Sequence, residues 1–177
     1  LDFLLAEMGK RDMVAIMCMN NFWPWSGGMA QYVSWQDDSE IPYPPICGEG
    51  DWQTYQEYTA SFYSNENAVT DFFNHLRFTV LRENPYTGTL YRDDPTIMAW
   101  QLGNEPRGIN NREDFTQWIE NTAKYIKSMD SNHLVTIGSE GATAHPSSGN
   151  DFFADHQSSY IDYTTIHVWV QNWGWFD

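Results

Sequence analysis

Thr96-Ile97-Met98-Ala99-Trp100-Gln101-Leu102-Gly103-Asn104-Glu105-Pro106-Arg107 is the stretch on which the fold turns. An apolar run ends abruptly in two polar residues and a proline. A run this short, bounded by Asp93-Asp94-Pro95 before it and Pro106 after it, reads as a buried strand over Thr96 to Leu102. Pro106 lacks an N–H and fixes the exit of the chain. Strands of near-continuous apolar character belong to parallel sheets covered on both faces. In a parallel barrel, the side chains at the C-terminal strand ends face the active site. Asn104 and Glu105 then stand where catalytic groups belong. A lone glutamate at such a place is more often a cap or an ion-pair partner, and Arg107 is close by; the whole segment, not one residue, carries the catalytic reading.

Working outward, the chain alternates. Leu1 to Arg11 carries Leu1, Leu4, Leu5 and Met8 at helical spacing. Met13 to Met19 reads as a buried strand. Phe22 to Ser64 reads as a long aromatic-rich loop with short ordered pieces. Asn65 to Glu83 reads as a helix with Val69, Phe72, Phe73, Leu76 and Val80 on one stripe. Asn84-Pro85-Tyr86-Thr87-Gly88 is turn chemistry. After the Thr96 strand, Asn110 with Glu113 predicts a capping box opening a helix whose stripe is Phe115, Trp118, Ile119, Thr122, Ala123, Ile126 and Met129. Leu134 to Gly138 reads as a third strand, Phe152 and Phe153 as the start of a short helix, and Tyr163 to Val168 as a fourth strand. Four strand–helix steps amount to about half of a (β/α)₈ barrel, which needs roughly 250 residues. An open doubly wound sheet is the alternative, but no glycine-rich phosphate fingerprint follows any strand.

Composition narrows the partners. Twenty-four acidic residues against nine basic ones give a formal charge of -15. Such a field repels phosphate backbones and anionic membranes, so the expectation is no nucleic acid, no membrane and a neutral substrate. Part of that acidity serves solubility. Nine Trp, ten Tyr and ten Phe are more rings than a core of this size needs. Tryptophans in loops suit a ligand with flat faces, as sugar rings have. The two cysteines, Cys18 and Cys47, predict little; Cys18 sits in an apolar run and reads as a small buried residue, and a disulfide between them is not expected.

The segment Trp100 to Arg107 resembles the fourth-strand signature of glycoside hydrolase family 5, among retaining (β/α)₈ enzymes. Asn20-Asn21-Phe22-Trp23 with Gly27-Gly28, Asp93 to Ile97, and Ile166-His167 resemble its mannanase branch. The likeness runs over essentially the whole chain. It implies an α/β fold, a partial TIM (β/α)₈ barrel from roughly the second helix through the sixth strand, with residues 1–177 a single incomplete catalytic domain. It implies a secreted, periplasmic or cell-surface enzyme that cuts neutral β-1,4-mannan, with no cofactor and no metal.

The resemblance also implies roles. A retaining glycosidase uses two carboxyl groups about 5–5.5 Å apart. Glu105 matches the acid/base, which carries a proton when it donates to the leaving oxygen. Asn104 would hydrogen-bond the sugar 2-hydroxyl, and His167 would orient groups around the catalytic carboxylates. Arg107 and Trp23 match the side that binds the leaving group. The family has His-x-Tyr where this chain has His167-Val168-Trp169. An indole N–H donates one hydrogen bond and accepts none, so Trp169 is expected to wall a subsite with Trp173 and Trp175. The family's nucleophile stands on a seventh strand, after the last strand read here. Glu140, in Gly138-Ser139-Glu140-Gly141, follows the strand before and reads as structural.

Other chemistries fare worse. His75, His133, His145, His156 and His167 are scattered, with no metal-binding pair at close spacing. Asp37, Asp38 and Glu40 read as a solvated acidic loop rather than a calcium site. No serine elbow is present. The rivals are a sibling activity, exo-β-mannosidase or β-1,4-glucanase, and a non-catalytic sugar-binding barrel.

Overall fold

The computed structural model describes residues 1–45, 48–142 and 146–175. Cys47 and His145 lie outside the described residues. The strands of the main sheet are β1 (Ala15–Cys18), β4 (Ile97–Gln101) and β5 (Leu134–Thr136), side by side in the order β1-β4-β5. Both pairings are parallel: Met17 lies opposite Trp100, and Ala99 opposite Leu134. Consecutive parallel neighbours need a covered crossover, and helices supply it. The helices are α1 (Asp2–Gly9), α2 (Gly28–Asp37), α3 (Trp52–Ala60), α4 (Glu66–Val80), α5 (Arg112–Met129) and α6 (Phe152–Asp155). Glu83–Asn84 (β2) and Thr89–Leu90 (β3) form a small antiparallel hairpin after α4. Gly88, at φ 70°, closes its turn, and the Asn84 carbonyl accepts from both Thr87 and Gly88.

One hydrophobic cluster runs between the helices and one face of the sheet, from Met17 and Trp100 to Phe72, Leu76, Trp118 and Ile126. Rings fill its centre. Phe62 packs edge-on against Phe72 and Trp118 at centroid distances of 5.9 and 6.2 Å, a preferred aromatic geometry. The other sheet face is uncovered: Ile16 is 47% exposed, with Met98 and Leu134 beside it. Strand alternation puts Cys18 on that face too. It is therefore an exposed free thiol rather than a small core residue.

Several further expectations need correction. In α1 it is Leu5 and Ala6 that are buried, while Leu1 and Leu4 are exposed, because the core lies on one narrow side of the helix. The expected long loop from Phe22 to Ser64 contains two helices and two short 3₁₀ turns, Pro24–Ser26 and Ser61–Ser64. Asp51 starts α3 by accepting the N–H groups of Gln53 and Thr54, a cap signal inside a stretch whose polar composition hid the helix. The predicted capping box at Asn110 does not form. Asn111 precedes α5 instead, and its side-chain amide is spent on the Ala60 carbonyl and the Ser64 hydroxyl.

The predicted strand over Tyr163 to Val168 makes no ladder. The segment runs parallel beside β5, but its backbone N–H groups reach across only at Asp162 to Val135 and at His167 to Glu140, 2.9 and 3.0 Å. Between those points threonine hydroxyls make the bridges, Thr136 to the Tyr163 carbonyl and Thr165 to the Ser139 carbonyl. His167 is nonetheless brought to the same end of the sheet as Glu105.

Candidate active site

Beyond β4 the chain keeps its place through backbone bonds. Leu102 and Gly103 donate to Thr136 and Ile137, Asn104 to Asn20, and Glu105 to Gly138. Glu105 itself sits at φ 50°. A side chain in the left-handed region costs on the order of 1 kcal/mol or more and persists where the surroundings impose it, often at functional sites. Gly138 is one cause. At φ 84°, a Cβ there would stand 2.0 Å from the Gly103 carbonyl oxygen. Only glycine lets the strand-end loops approach so closely.

The Glu105 carboxyl group receives three nitrogens. Trp23 Nε1 donates to Oε2 at 2.7 Å. His167 Nδ1 lies 2.7 Å from Oε1, and Trp169 Nε1 donates to Oε1 at 3.3 Å. The imidazole donates when Glu105 is ionised and accepts when the proton is on Oε1, so the pair can hold a proton in either place. Trp169, where the family has tyrosine, thus reaches the acid/base candidate directly. The Asn104 amide donates to Asn21 Oδ1 at 3.2 Å.

A cleft of about 820 Å³ opens over this carboxyl group, lined by Trp23, Trp25, Trp52, Gln56, Asn104, Glu105, Arg107, Glu140, Ser147, His167, Trp169, Asn172 and Trp173. Of the candidate residues, Trp23, Asn104, Glu105, Arg107, His167, Trp169 and Trp173 are on that lining, and Trp175 is not. Trp23, Trp25 and Trp52 form a cluster with centroid separations of 6.1, 5.9 and 6.0 Å. Trp25 is 63% exposed and Trp173 half-buried; Trp175 packs on Trp173 at 4.8 Å and stands off the lining. Arg107 lies deeper, with Nε and Nη2 on the two oxygens of Glu140 at 2.7 and 2.9 Å.

Trp52 and Gln56 lie one turn apart on α3, within the stretch whose composition reads as loop; the Asp51 cap with a helical spacing of Trp52, Tyr55 and Gln56 is the signal that points to them. Among the described residues, no three of His, Cys, Asp and Glu cluster as a metal set requires. Nor is any helix there long and apolar enough to cross a membrane.

A family model described as GH family 5 beta-mannosidase-like matches residues 1–177. The chain belongs to glycoside hydrolase family 5. Its sequence is 33% identical over 189 residues to mannan endo-1,4-beta-mannosidase 4 of Oryza sativa subsp. japonica, covering 99% of this chain and 38% of that protein. With mannan endo-1,4-beta-mannosidase 5 of Solanum lycopersicum the identity is 34%, over 98% of this chain and 42% of the relative. The structure superposes on the glycoside hydrolase family 5 mannosidase of Rhizomucor miehei with a TM-score of 0.84 at 36% identity, covering 99% of this chain and 41% of that one. The endo-1,4-beta-mannanase of the same organism gives a TM-score of 0.81 at 30% identity, over 99% and 49%. The fold of this family 5 chain is accordingly part of a TIM barrel, and it spans about two-fifths of the curated relatives it matches.

Proposed function

We propose that the full-length protein hydrolyses β-1,4-mannosidic bonds within mannan, glucomannan or galactomannan, with retention at the anomeric carbon, and that residues 1–177 form part of one catalytic barrel domain. The observation that carries this reading is the strained Glu105, held by Trp23, His167 and Trp169 at the floor of an aromatic cleft. Glu105 donates its proton to the glycosidic oxygen as the C–O bond breaks, and a second carboxylate, on a strand outside this chain, takes the anomeric carbon. In the second half, Glu105 withdraws a proton from water, which displaces that carboxylate.

Asn104 binds the 2-hydroxyl of the sugar at the cleavage point. His167 orients Glu105 and shares its proton. Trp23, Arg107, Trp169 and Trp173 line the subsites, the indoles stacking on the apolar faces of mannose rings. The chain's charge of -15 favours a neutral polysaccharide over an acidic one. Export from the cytoplasm, to the medium, periplasm or cell surface, goes with a polymeric substrate.

A second reading is removal of single mannose units from chain ends. It draws on the 36% identity with the Rhizomucor miehei mannosidase, a mutant of which was crystallised in complex with mannosyl-fructose. Product profiling by chromatography decides between them. A ladder of manno-oligosaccharides early in digestion supports internal cleavage; mannose alone supports the second reading and excludes the first.

A further inference from the structure

Sugar binding by Arg107 leaves its buried ion pair with Glu140 unaccounted for. Glu140 is only 2% exposed and Arg107 9%. Glu140 takes Arg107 with both oxygens, and Arg107 Nη1 donates to Gln56 Oε1 at 3.0 Å. With three of its nitrogens held, the plane of the guanidinium is fixed. Its central carbon lies 4.9 Å from the centroid of the Trp23 ring, within cation–π range. Trp23 Nε1 is the donor to Glu105 Oε2. An unbroken line of contacts therefore runs Glu140, Arg107, Trp23, Glu105.

A buried ion pair is weak evidence for stability, since the desolvation of two charges offsets most of their attraction. Its geometry is more informative. The pair stops short of Glu105 and meets the ring that holds it. Sub-ångström placement of a proton donor matters to rate, because proton transfer requires hydrogen-bond distance to the leaving oxygen. His167 and Trp169 hold Oε1, and the Trp23 N–H holds Oε2; an indole free to swing would leave Oε2 without that bond and the carboxyl free to twist about its Oε1 contacts.

We propose that Glu140 and Arg107 are positioning residues: the ion pair clamps the guanidinium against Trp23, and the Trp23 N–H in turn fixes the carboxyl orientation from which Glu105 gives up its proton. This rests on Glu105 acting as the acid/base. It gives Arg107 a duty distinct from sugar binding, and the two separate kinetically. A lost sugar contact raises KM, whereas a misaligned proton donor lowers kcat with KM little changed.

The test is a double-mutant cycle between residues that do not touch. Glu140→Gln and Trp23→Phe are made singly and together in the full-length protein. Each single variant is expected to lower kcat on mannan about tenfold, with KM within about threefold, and the double variant to be no slower than the worse single, because both act through one contact. Multiplying effects would overturn the proposal, as would a Glu140→Gln change confined to KM.

A second readout does not need turnover. In protein labelled with ¹⁵N-tryptophan, the Trp23 indole N–H resonance should move as Glu105 titrates, stay still in Glu105→Gln, and lose its response in Glu140→Gln. An unchanged response in Glu140→Gln overturns the proposal whether or not mannan is cut. Absence of mannan hydrolysis in the parent protein, with the resonance behaving as expected, instead strikes the proposed function and leaves the clamp standing. Should Glu140→Gln not fold, Arg107→Lys takes its place in both arms; it keeps the charge and loses the planar fork.

Discussion

Trp23 and Glu105, 82 positions apart in the chain, meet in a 2.7 Å hydrogen bond from the indole Nε1 to Oε2. The bond joins the loop after β1 to the loop after β4, neighbouring parallel strands whose C-terminal ends point the same way. Parallel pairing is what makes the meeting possible.

Trp25 and Trp52 are exposed rings on the cleft wall. Stacking of a flat ligand on a ring contributes about 1–3 kcal/mol in comparable systems. Trp25→Ala or Trp52→Ala in the full-length protein should raise KM for manno-oligosaccharides at least about fivefold while leaving kcat near its parent value. Binding of an uncleaved oligosaccharide to each variant, followed by calorimetry, is the check.

Gly138→Ala should be far more damaging than its size suggests. The added carbon would meet the Gly103 carbonyl oxygen at 2.0 Å, on a backbone at φ 84°. Relief requires the Gly138 carbonyl, which holds the Glu105 N–H, to shift. Both unfolding temperature and kcat should fall, and a variant with parent values for both would show that the strand-end loops are not locked together as described.

At the other end of the sheet, a buried cluster predicts how stability varies with pH. Asp130 accepts from Trp100 Nε1 at 2.7 Å, from the backbone N–H groups of Asn132 and His133, and lies 2.7 Å from His133 Nδ1. Burial opposes the charge on Asp130, but these bonds outweigh it and hold its carboxyl below the usual value of 3.8. Burial likewise opposes charge on His133, but the Asp130 carboxylate raises the imidazole above 6.5. The lowered carboxyl contributes stability that is complete above 3.8 and lost as pH falls through its folded value; the raised imidazole contributes stability that is complete below 6.5 and lost as pH rises through its folded value. Urea unfolding of the parent and of Asp130→Asn across this range should therefore show the largest difference between those two values, shrinking on both sides. A pH-independent difference would remove the ionic part of the explanation. Asp130→Ala, which strands several buried donors, should cost about 3 kcal/mol or more.

The uncovered sheet face makes a further prediction. Ile16, Met98 and Leu134 are exposed on it, and β1 has a free edge among the described residues. Bare apolar surface and open edges drive association. These 177 residues, expressed alone, should be oligomeric or aggregating by light scattering and inactive on mannan. A monomer that cleaves mannan would contradict this and would make a carboxylate of this chain the nucleophile.

Much of this was legible in the residues because it depends on short-range pattern. The strand from Ile97 to Gln101 and the stripes of α4 and α5 follow from apolar period. The place of Glu105 beyond the end of β4 was legible because an apolar strand ends in polar residues and a proline. What escaped depended on distant partners. α3 is short and polar on its outer face, so its helical period competes with loop composition. Tyr163 to Val168 has the apolar run of a strand, but its bridges are made by Thr136 and Thr165 hydroxyls, which no periodicity reveals. Glu140 reads as structural, and its buried ion pair with Arg107 agrees; the further contact from Arg107 to the Trp23 ring exists only once three loops converge.

The most direct measurement of the central claim is the rate of mannan hydrolysis by Glu105→Gln in the full-length protein, alongside a β-mannoside whose leaving group departs without help from an acid. General acid–base catalysis contributes about 10²- to 10⁴-fold. Mannan turnover should drop by that order with binding retained, while the first step on the activated substrate, seen as a burst of leaving group, persists. Hydrolysis of mannan by Glu105→Gln near the parent rate would show that Glu105 is not the acid/base.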